Sequence, residues 1–246
     1  MSATIHEQHR LIRQLESTSE LSEEDRAAIV ALPIRIRTIP EGRDIIREGD
    51  TPTESCLLLD GVACRYKVLS NGRRQILSFH FPGDIPDLQS LHLKVMDHSL
   101  LGVTPVRAAF IPHDAVRALM LARPRTGDAL IRHVMVDAAI YREWICNVGR
   151  RTALERVAHL ICECFVRMQA IGLATLSNFE LPLTQTELGD AMGLSNVHIN
   201  RTMKELRRLE LIRTNGKIHG ILDWDRLQDI AGFDPAYLQL RIGALP

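Results

Sequence analysis

The chain has no long hydrophobic run. Nowhere do the roughly 18 consecutive apolar residues that a spanning helix needs occur, so no membrane segment is predicted. Met1 to Ser22 is polar and lacks the apolar stretch of a secretory signal. Cysteine is scarce: five among 246 residues make no disulfide framework, which fits a reducing cytoplasm. Neither sign of charge is in excess, with 30 basic and 30 acidic residues. No global field therefore gathers a polyanion, which argues against general coating of nucleic acid and leaves focused binding open. Catalytic signatures are missing too. There is no G-x-S-x-G elbow and no phosphate-binding loop, and His80-Phe81-Pro82 supplies one histidine and then a proline where a cupin-type metal site needs a His-x-His pair. No catalytic residue and no metal ligand is predicted, and the chain reads as a non-enzyme.

What is present begins with Leu183 to Leu211. Thr184 with Glu187 three residues on forms a capping box, and the helix it opens turns Leu188 and Met192 to one side. Gly193 breaks that helix and Ser195 caps the next, whose apolar stripe is Ile199, Met203, Leu206 and Leu209. The opposite face carries Asn196, Val197, Asn200, Arg201, Lys204 and Arg208, a surface suited to a major groove. Immediately after, Asn215-Gly216 joins two short apolar-rich runs, a hairpin signal that reads as a wing. From Ser195 to Lys217 six basic residues face two acidic ones, about four net positive charges in a chain whose total is zero. Focused contact with duplex DNA follows, because phosphate neutralisation is the main source of non-specific affinity.

Upstream, residues 6–16 and 22–31 read as two short helices, the second opened by Ser22. From Ile34 to about Phe110, Gly-containing turns recur at Gly42, Gly49, Gly61, Gly72 and Gly83, spacings that suit short strands. Alternation at Val62, Cys64, Tyr66 and Val68, and again at Leu77, Phe79 and Phe81, predicts an antiparallel jelly roll. Helical periodicity starts near Pro112. Ile131, Val134, Ala138, Tyr141, Ile145 and Val148 follow one another by three or four residues over about three heptads, a seam along which two copies can pair. Gly149 to Thr152 reads as a hinge before another capped helix. The expected class is α+β, divided into N-terminal helices (1–31), a β-roll sensor (32–111), a dimerisation helix region (112–149) and a winged helix-turn-helix domain (150–246).

That order resembles the cyclic-AMP receptor protein/Fnr (Crp/Fnr) superfamily of bacterial transcription regulators over about residues 25–225. The most specific portions are G-R-R-T-A-L-E-R-V-A-H-L-I at 149–161 and L-T-Q-T-E-L-G-D-A-M-G-L-S-N-V-H-I-N-R at 183–201. The resemblance implies a cytoplasmic homodimer that reads an inverted repeat in double-stranded DNA, contacts RNA polymerase to activate or blocks it to repress, and senses a signal through the β-domain. It assigns base reading to Asn196, Val197, Asn200 and Arg201, with His198 taking part of the selectivity. Thr184, Gln185, Ser195, Lys204 and the wing residue Lys217 are expected on phosphate. Arg201 follows the family pattern, and its planar fork can bond guanine O6 and N7. Val197 departs from it, since relatives usually carry glutamate there, and valine can only pack.

Effector positions fit less well. Nucleotide-binding relatives hold the phosphate with Gly-Glu and then Arg-Ser or Arg-Thr. Here the counterparts are Gly83-Asp84 and His98-Ser99, and Asp97 repels an anion where a guanidinium is needed. Cyclic AMP is not expected. An iron–sulfur cluster needs grouped N-terminal cysteines and none precedes Cys56, while the histidines show no spacing that selects a haem ligand. No cofactor is predicted. The alternatives are a regulator gated by haem, redox chemistry or a cyclic nucleotide, and a protein-interaction module that does not bind DNA.

Overall fold

The computed structural model describes residues 2–175, 178–216 and 218–241. Internal contacts divide the chain into two units, Met1–Lys67 with Ser78–Asp137, and Val68–Leu77 with Ala138–Pro246.

The first unit opens with α1 (Ser2–Glu16) and α2 (Glu23–Val30). The Ser22 hydroxyl accepts from the Asp25 N–H while the Asp25 carboxylate accepts from the Ser22 N–H, so the start of α2 is closed by a reciprocal box. Seven strands follow: β1 (Arg35–Ile39), β2 (Asp44–Ile46), β3 (Glu54–Asp60), β4 (Ala63–Val68), β5 (Arg74–His80), β6 (Ser99–Gly102) and β7 (Val106–Pro112). They form two sheets, ordered β1-β7-β3 and β2-β6-β4-β5. In the first, β7 is central and antiparallel to both neighbours, with Ile39 opposite Val106 and Leu57 opposite Ala109.

Both faces of β3 and β7 are apolar, for different reasons. Cys56, Leu58, Ala108 and Phe110 point into the roll with Leu100 and Ala63. Leu57, Leu59, Ala109 and Ile111 point the other way, onto Leu11 and Leu15 of α1, Ile29 of α2, and Val116 and Leu119 of α3 (His113–Ala122). The N-terminal helices and α3 therefore share a core with the roll instead of standing apart from it. Gly83 shows how close that packing is. Its φ is +104°, and a Cβ there would lie 2.8 Å from the Arg10 carbonyl oxygen and 2.9 Å from Gln14 Cβ, so the turn after β5 can press on α1 only as glycine.

Helix α4 (Pro124–Arg150) belongs to the first unit as far as Asp137 and to the second thereafter. Its buried stripe is His133, Asp137, Ile140, Trp144 and Asn147, at spacings of four, three, four and three. The outward apolar residues are Ile131, Met135 and Ile145, while Val134, Ala138, Tyr141 and Val148 are only half-exposed. All six residues of the predicted seam are thus exposed or half-exposed. Polar His133, Asp137 and Asn147 face inward, where hydropathy alone would not put them, and this turns Met135 outward. Gly149 lies inside α4, and the break falls at Arg151 and Thr152.

In the second unit α5 (Ala153–Ala170) is capped by Thr152 with Glu155 in a further box. Three more helices follow, α6 (Gln185–Met192), α7 (Asn196–Arg208) and α8 (Trp224–Ala231), with a small antiparallel sheet of β8 (Asn178–Glu180), β10 (Ile218–Ile221) and β9 (Ile212–Asn215) in that spatial order. The sequence reading had no α8. Its signals were available: Asp223 caps it, and Trp224, Leu227 and Ala231 repeat at helical spacing before Gly232. Phe165 of α5 packs on Phe179 and Trp224, with ring centroids 5.5 and 5.4 Å away. Beneath them Glu163 is fully buried; it accepts hydrogen bonds from Tyr237 Oη at 2.7 Å and from Trp144 Nε1 at 3.1 Å. Among the described residues no helix is long and apolar enough to cross a membrane.

Candidate DNA-binding surface

The helical pair is built from its caps inward. The Thr184 hydroxyl accepts from the Glu187 N–H, and the Glu187 carboxylate accepts from the Thr184 N–H at 2.7 Å. At the far end Gly193 takes the left-handed conformation, φ 65°, that ends α6. Gly189 lets the two helices approach, because a Cβ there would sit 2.6 Å from the Leu194 carbonyl oxygen. Ser195 caps α7 by accepting from the His198 N–H. Ile199, Met203 and Leu206 are then buried with Leu188, Ala191 and Met192, which orients every other α7 side chain.

Outward from that core, Gln185, Asn196, Val197, Asn200, Arg201, Lys204, Glu205 and Arg208 line one open concavity of about 610 Å³. Four of the five predicted base-reading residues meet there; His198 does not line it, and its Nδ1 lies 2.9 Å from the Ser195 hydroxyl. Asn196 is held sideways, its Nδ2 donating to Thr186 Oγ1 of α6 at 3.2 Å. Asn200, Arg201 and Lys204 have no hydrogen bond or ion pair among the described residues, so their polar ends are available to a ligand. Arg208 is paired with Glu205 at 2.7 Å, and its guanidinium holds the Glu205 carboxyl below its ordinary range. Of the expected phosphate contacts, Gln185 and Lys204 lie on the concavity, Thr184 and Ser195 serve as caps, and Lys217 falls outside the described residues.

Some basic side chains of the stretch are tied down by hydrogen bonds. Arg207 Nη1 donates to Thr214 Oγ1 at 3.2 Å and Arg213 Nη2 to Asn178 Oδ1 at 3.0 Å, which ties the wing to α7 and to β8. Arg156 on α5 donates from Nη1 to the Met192 carbonyl at 3.0 Å, and Arg74 Nε, at the start of β5 in the part that belongs to this unit, donates to Asp190 at 2.8 Å. Sequence reasoning missed these braces, because nothing local marks which arginine meets a carbonyl far along the chain.

The effector positions lie in the first unit. The Asp84 carboxylate accepts from the Phe81 N–H at 2.9 Å and lies 3.4 Å from His80 Nδ1. Asp97 holds the His98 ring at 2.9 Å, and the Ser99 hydroxyl accepts from the Glu48 N–H at 3.0 Å. Arg65 of β4 is buried: its Nε donates to the Pro86 carbonyl at 2.7 Å and its Nη2 pairs with Asp137 at 2.9 Å. Burial and the Arg65 charge push His80 down to about 4. Burial pushes the Asp137 carboxyl up, but Arg65, His80 and His133 outweigh it and hold it below its usual range.

Comparison with known proteins agrees with this arrangement. Residues 36–123 match the model of the cyclic nucleotide-binding domain and residues 155–230 that of the Crp-like helix-turn-helix domain. The chain is 27% identical over 202 residues to the transcriptional activator protein FnrL of Cereibacter sphaeroides, covering 80% of this chain and 81% of that one. It is 24% identical over 212 residues to the transcriptional activator protein FnrA of Stutzerimonas stutzeri, 86% of each. Its fold is similar to the structure of FixK2 from Bradyrhizobium japonicum, with a TM-score of 0.75 at 21% identity over 82% of this chain and 100% of that one.

A cyclic nucleotide is the group these matches bring to the roll, and the residues present do not fit it. His98 is held through Nδ1 by Asp97, the anion would meet that Asp97 carboxylate where a guanidinium is needed, and the buried guanidinium of Arg65 is engaged by Pro86 and Asp137. An iron–sulfur cluster does not fit either. Cys56, Cys64, Cys162 and Cys164 are each buried, and among the described residues no three cysteine, histidine or acidic side chains converge as metal ligands. Burial pushes the Cys56, Cys162 and Cys164 thiols up, away from the thiolate a metal requires. The architecture nevertheless runs in the order of its relatives, roll, long helix and winged helix-turn-helix, and the chain belongs to the Crp/Fnr superfamily of DNA-binding bacterial transcription regulators.

Proposed function

We propose that the protein works in the cytoplasm as a homodimer whose two α7 helices read the half-sites of an inverted repeat, while the β-roll passes a signal and RNA polymerase is the downstream partner. The observation that carries this reading is the concavity on α7, where Arg201, Asn200 and Lys204, without a partner among the described residues, are presented on a helix whose back is locked into a core. Arg201 supplies discrimination through guanine O6 and N7, Asn200 is placed to bond adenine N6 and N7, and Lys204 and Gln185 set the register on phosphate. Asn196 is a positioning residue, since its amide joins α7 to α6. Pairing uses the outward face of α4 at Ile131, Met135, Ala138 and Ile145, and a two-fold assembly puts the recognition helices about 34 Å apart, one DNA turn. The roll's signal is not a cyclic nucleotide, because a phosphate would meet the Asp84 and Asp97 carboxylates where a guanidinium is needed.

The test is fluorescence anisotropy on a randomised inverted-repeat pool at fixed salt. Arg201→Ala is expected to lose about tenfold to a hundredfold of selectivity per half-site, with unchanged circular dichroism. Selectivity equal to that of the unmodified protein would exclude Arg201 as the guanine reader.

A further inference from the structure

One side chain on the concavity is out of character with the rest. Val197 is 77% exposed, a large apolar residue on the first turn of α7 left largely uncovered by the described residues. Its neighbours on the surface are polar or charged: Gln185, Asn200 and Arg201. Exposed single hydrophobes are common on protein surfaces, yet this one stands at the end of the helix that enters a groove first, beside a basic face with charge complementary to DNA. Valine has no hydrogen-bonding group. A base that turns an amino or carbonyl group toward it leaves that group without a partner once water is excluded. The 5-methyl group of a pyrimidine is the apolar feature of the major-groove edge. Branching at Cβ also restricts valine to essentially one χ1 rotamer in a helix, so its methyls are presented without much loss of freedom on contact.

From this surface we infer that Val197 reads the 5-methyl group of a pyrimidine, thymine in unmodified DNA, at one position in each half-site. The inference rests on the DNA-reading function proposed above and names the chemistry of one of its contacts. The helix also sets the spacing. Val197 and Arg201 are four residues apart on one face of α7, about 6 Å along the axis. Base pairs rise by about 3.4 Å, so the methyl group lies about two base pairs from the guanine that Arg201 bonds. Because methylated cytosine carries the same group, binding responds to cytosine methylation at that position.

The experiment uses the full chain and a symmetric site selected from the randomised pool, with each thymine replaced in turn by uracil on both half-sites. Loss of the methyl group is expected to weaken binding about fourfold per half-site, about fifteenfold for the symmetric pair, at one position about two base pairs from the Arg201-dependent guanine. Cytosine there binds more weakly than uracil, and 5-methylcytosine recovers part of the difference. In Val197→Ala, whose side chain is exposed and supports no core, the thymine-to-uracil ratio falls below about threefold for the pair. Three results overturn the inference. Uracil tolerated within twofold everywhere, with guanine still read through Arg201, removes the methyl contact and leaves the DNA-reading function standing. A uracil effect of full size in Val197→Ala assigns the methyl group to another side chain. Failure to select any site, or selectivity indifferent to Arg201→Ala, defeats the DNA-reading function and this contact with it.

Discussion

Arg65→Met is the perturbation on which the account of the roll can be judged. Arg65 and Asp137 are both buried, 3% and 9% exposed, with 2.9 Å between Nη2 and the carboxylate. Methionine keeps much of the volume and removes the cation. Asp137 is then left as a buried carboxylate without its main partner, and the Pro86 carbonyl loses its donors. Breaking a buried pair from one side costs about 3–5 kcal/mol, and an orphaned carbonyl adds about 1 kcal/mol or more. A loss near 4–5 kcal/mol is therefore expected, which for a unit of this size lowers the melting temperature by roughly 15 °C. Both tryptophans, Trp144 and Trp224, lie in the second unit, so their fluorescence does not report the first unit directly. Differential scanning calorimetry, which follows all transitions, is the assay. Replacing both partners with Arg65→Met and Asp137→Leu should recover most of the loss, because no charge remains uncompensated. A single variant that melts within about 3 °C of the unmodified protein, or a double variant as unstable as the sum of the singles, would refute the reasoning.

Two more predictions concern acid and assembly. Burial pushes His80 down to about 4 and His159 down to about 3, with Arg65 and Arg151 respectively adding to the effect. The unfolded chain protonates both from about pH 6.5 downward while the folded chain stays neutral. Their contribution is therefore full above pH 6.5 and shrinks below it, by about 1.4 kcal/mol per pH unit for each group; urea midpoints at pH 7 and pH 5 measure it, and equal midpoints would contradict it. Ile145→Glu adds a charge to a residue that is 68% exposed and supports no core. It should leave the melting temperature within a few degrees yet shift sedimentation from dimer to monomer and weaken operator binding, and an unchanged dimer would move the pairing face elsewhere.

The recognition helix was legible because its rules are local. Caps at Thr184 and Ser195, a break at Gly193 and the 199-203-206-209 stripe depend on residues three or four apart; the caps, the break and buried Ile199, Met203 and Leu206 appear where the sequence puts them, and Leu209 at the end of α7 is half-buried. The wing was equally local, its Asn215-Gly216 turn joining β9 to β10. The roll was legible as strands, but not as a two-sided layer, since the covering helices come from residues far away along the chain.

By itself, then, the sequence determined the elements and their order, the capped helix-turn-helix, the wing, and the set of side chains that share the outward face of α7. Short-range hydrogen bonds and hydrophobic periodicity suffice for those. The tertiary structure alone decided which polar groups are buried and which are left to meet a ligand. It drew Arg65 inside to Asp137, buried the polar His133, Asp137 and Asn147 of α4, bound Arg207 and Arg213 into the wing, and left Val197 and Arg201 uncovered. Burying a charge requires a partner to offset its lost hydration, and where that partner comes from distant sequence only the folded chain brings it into place.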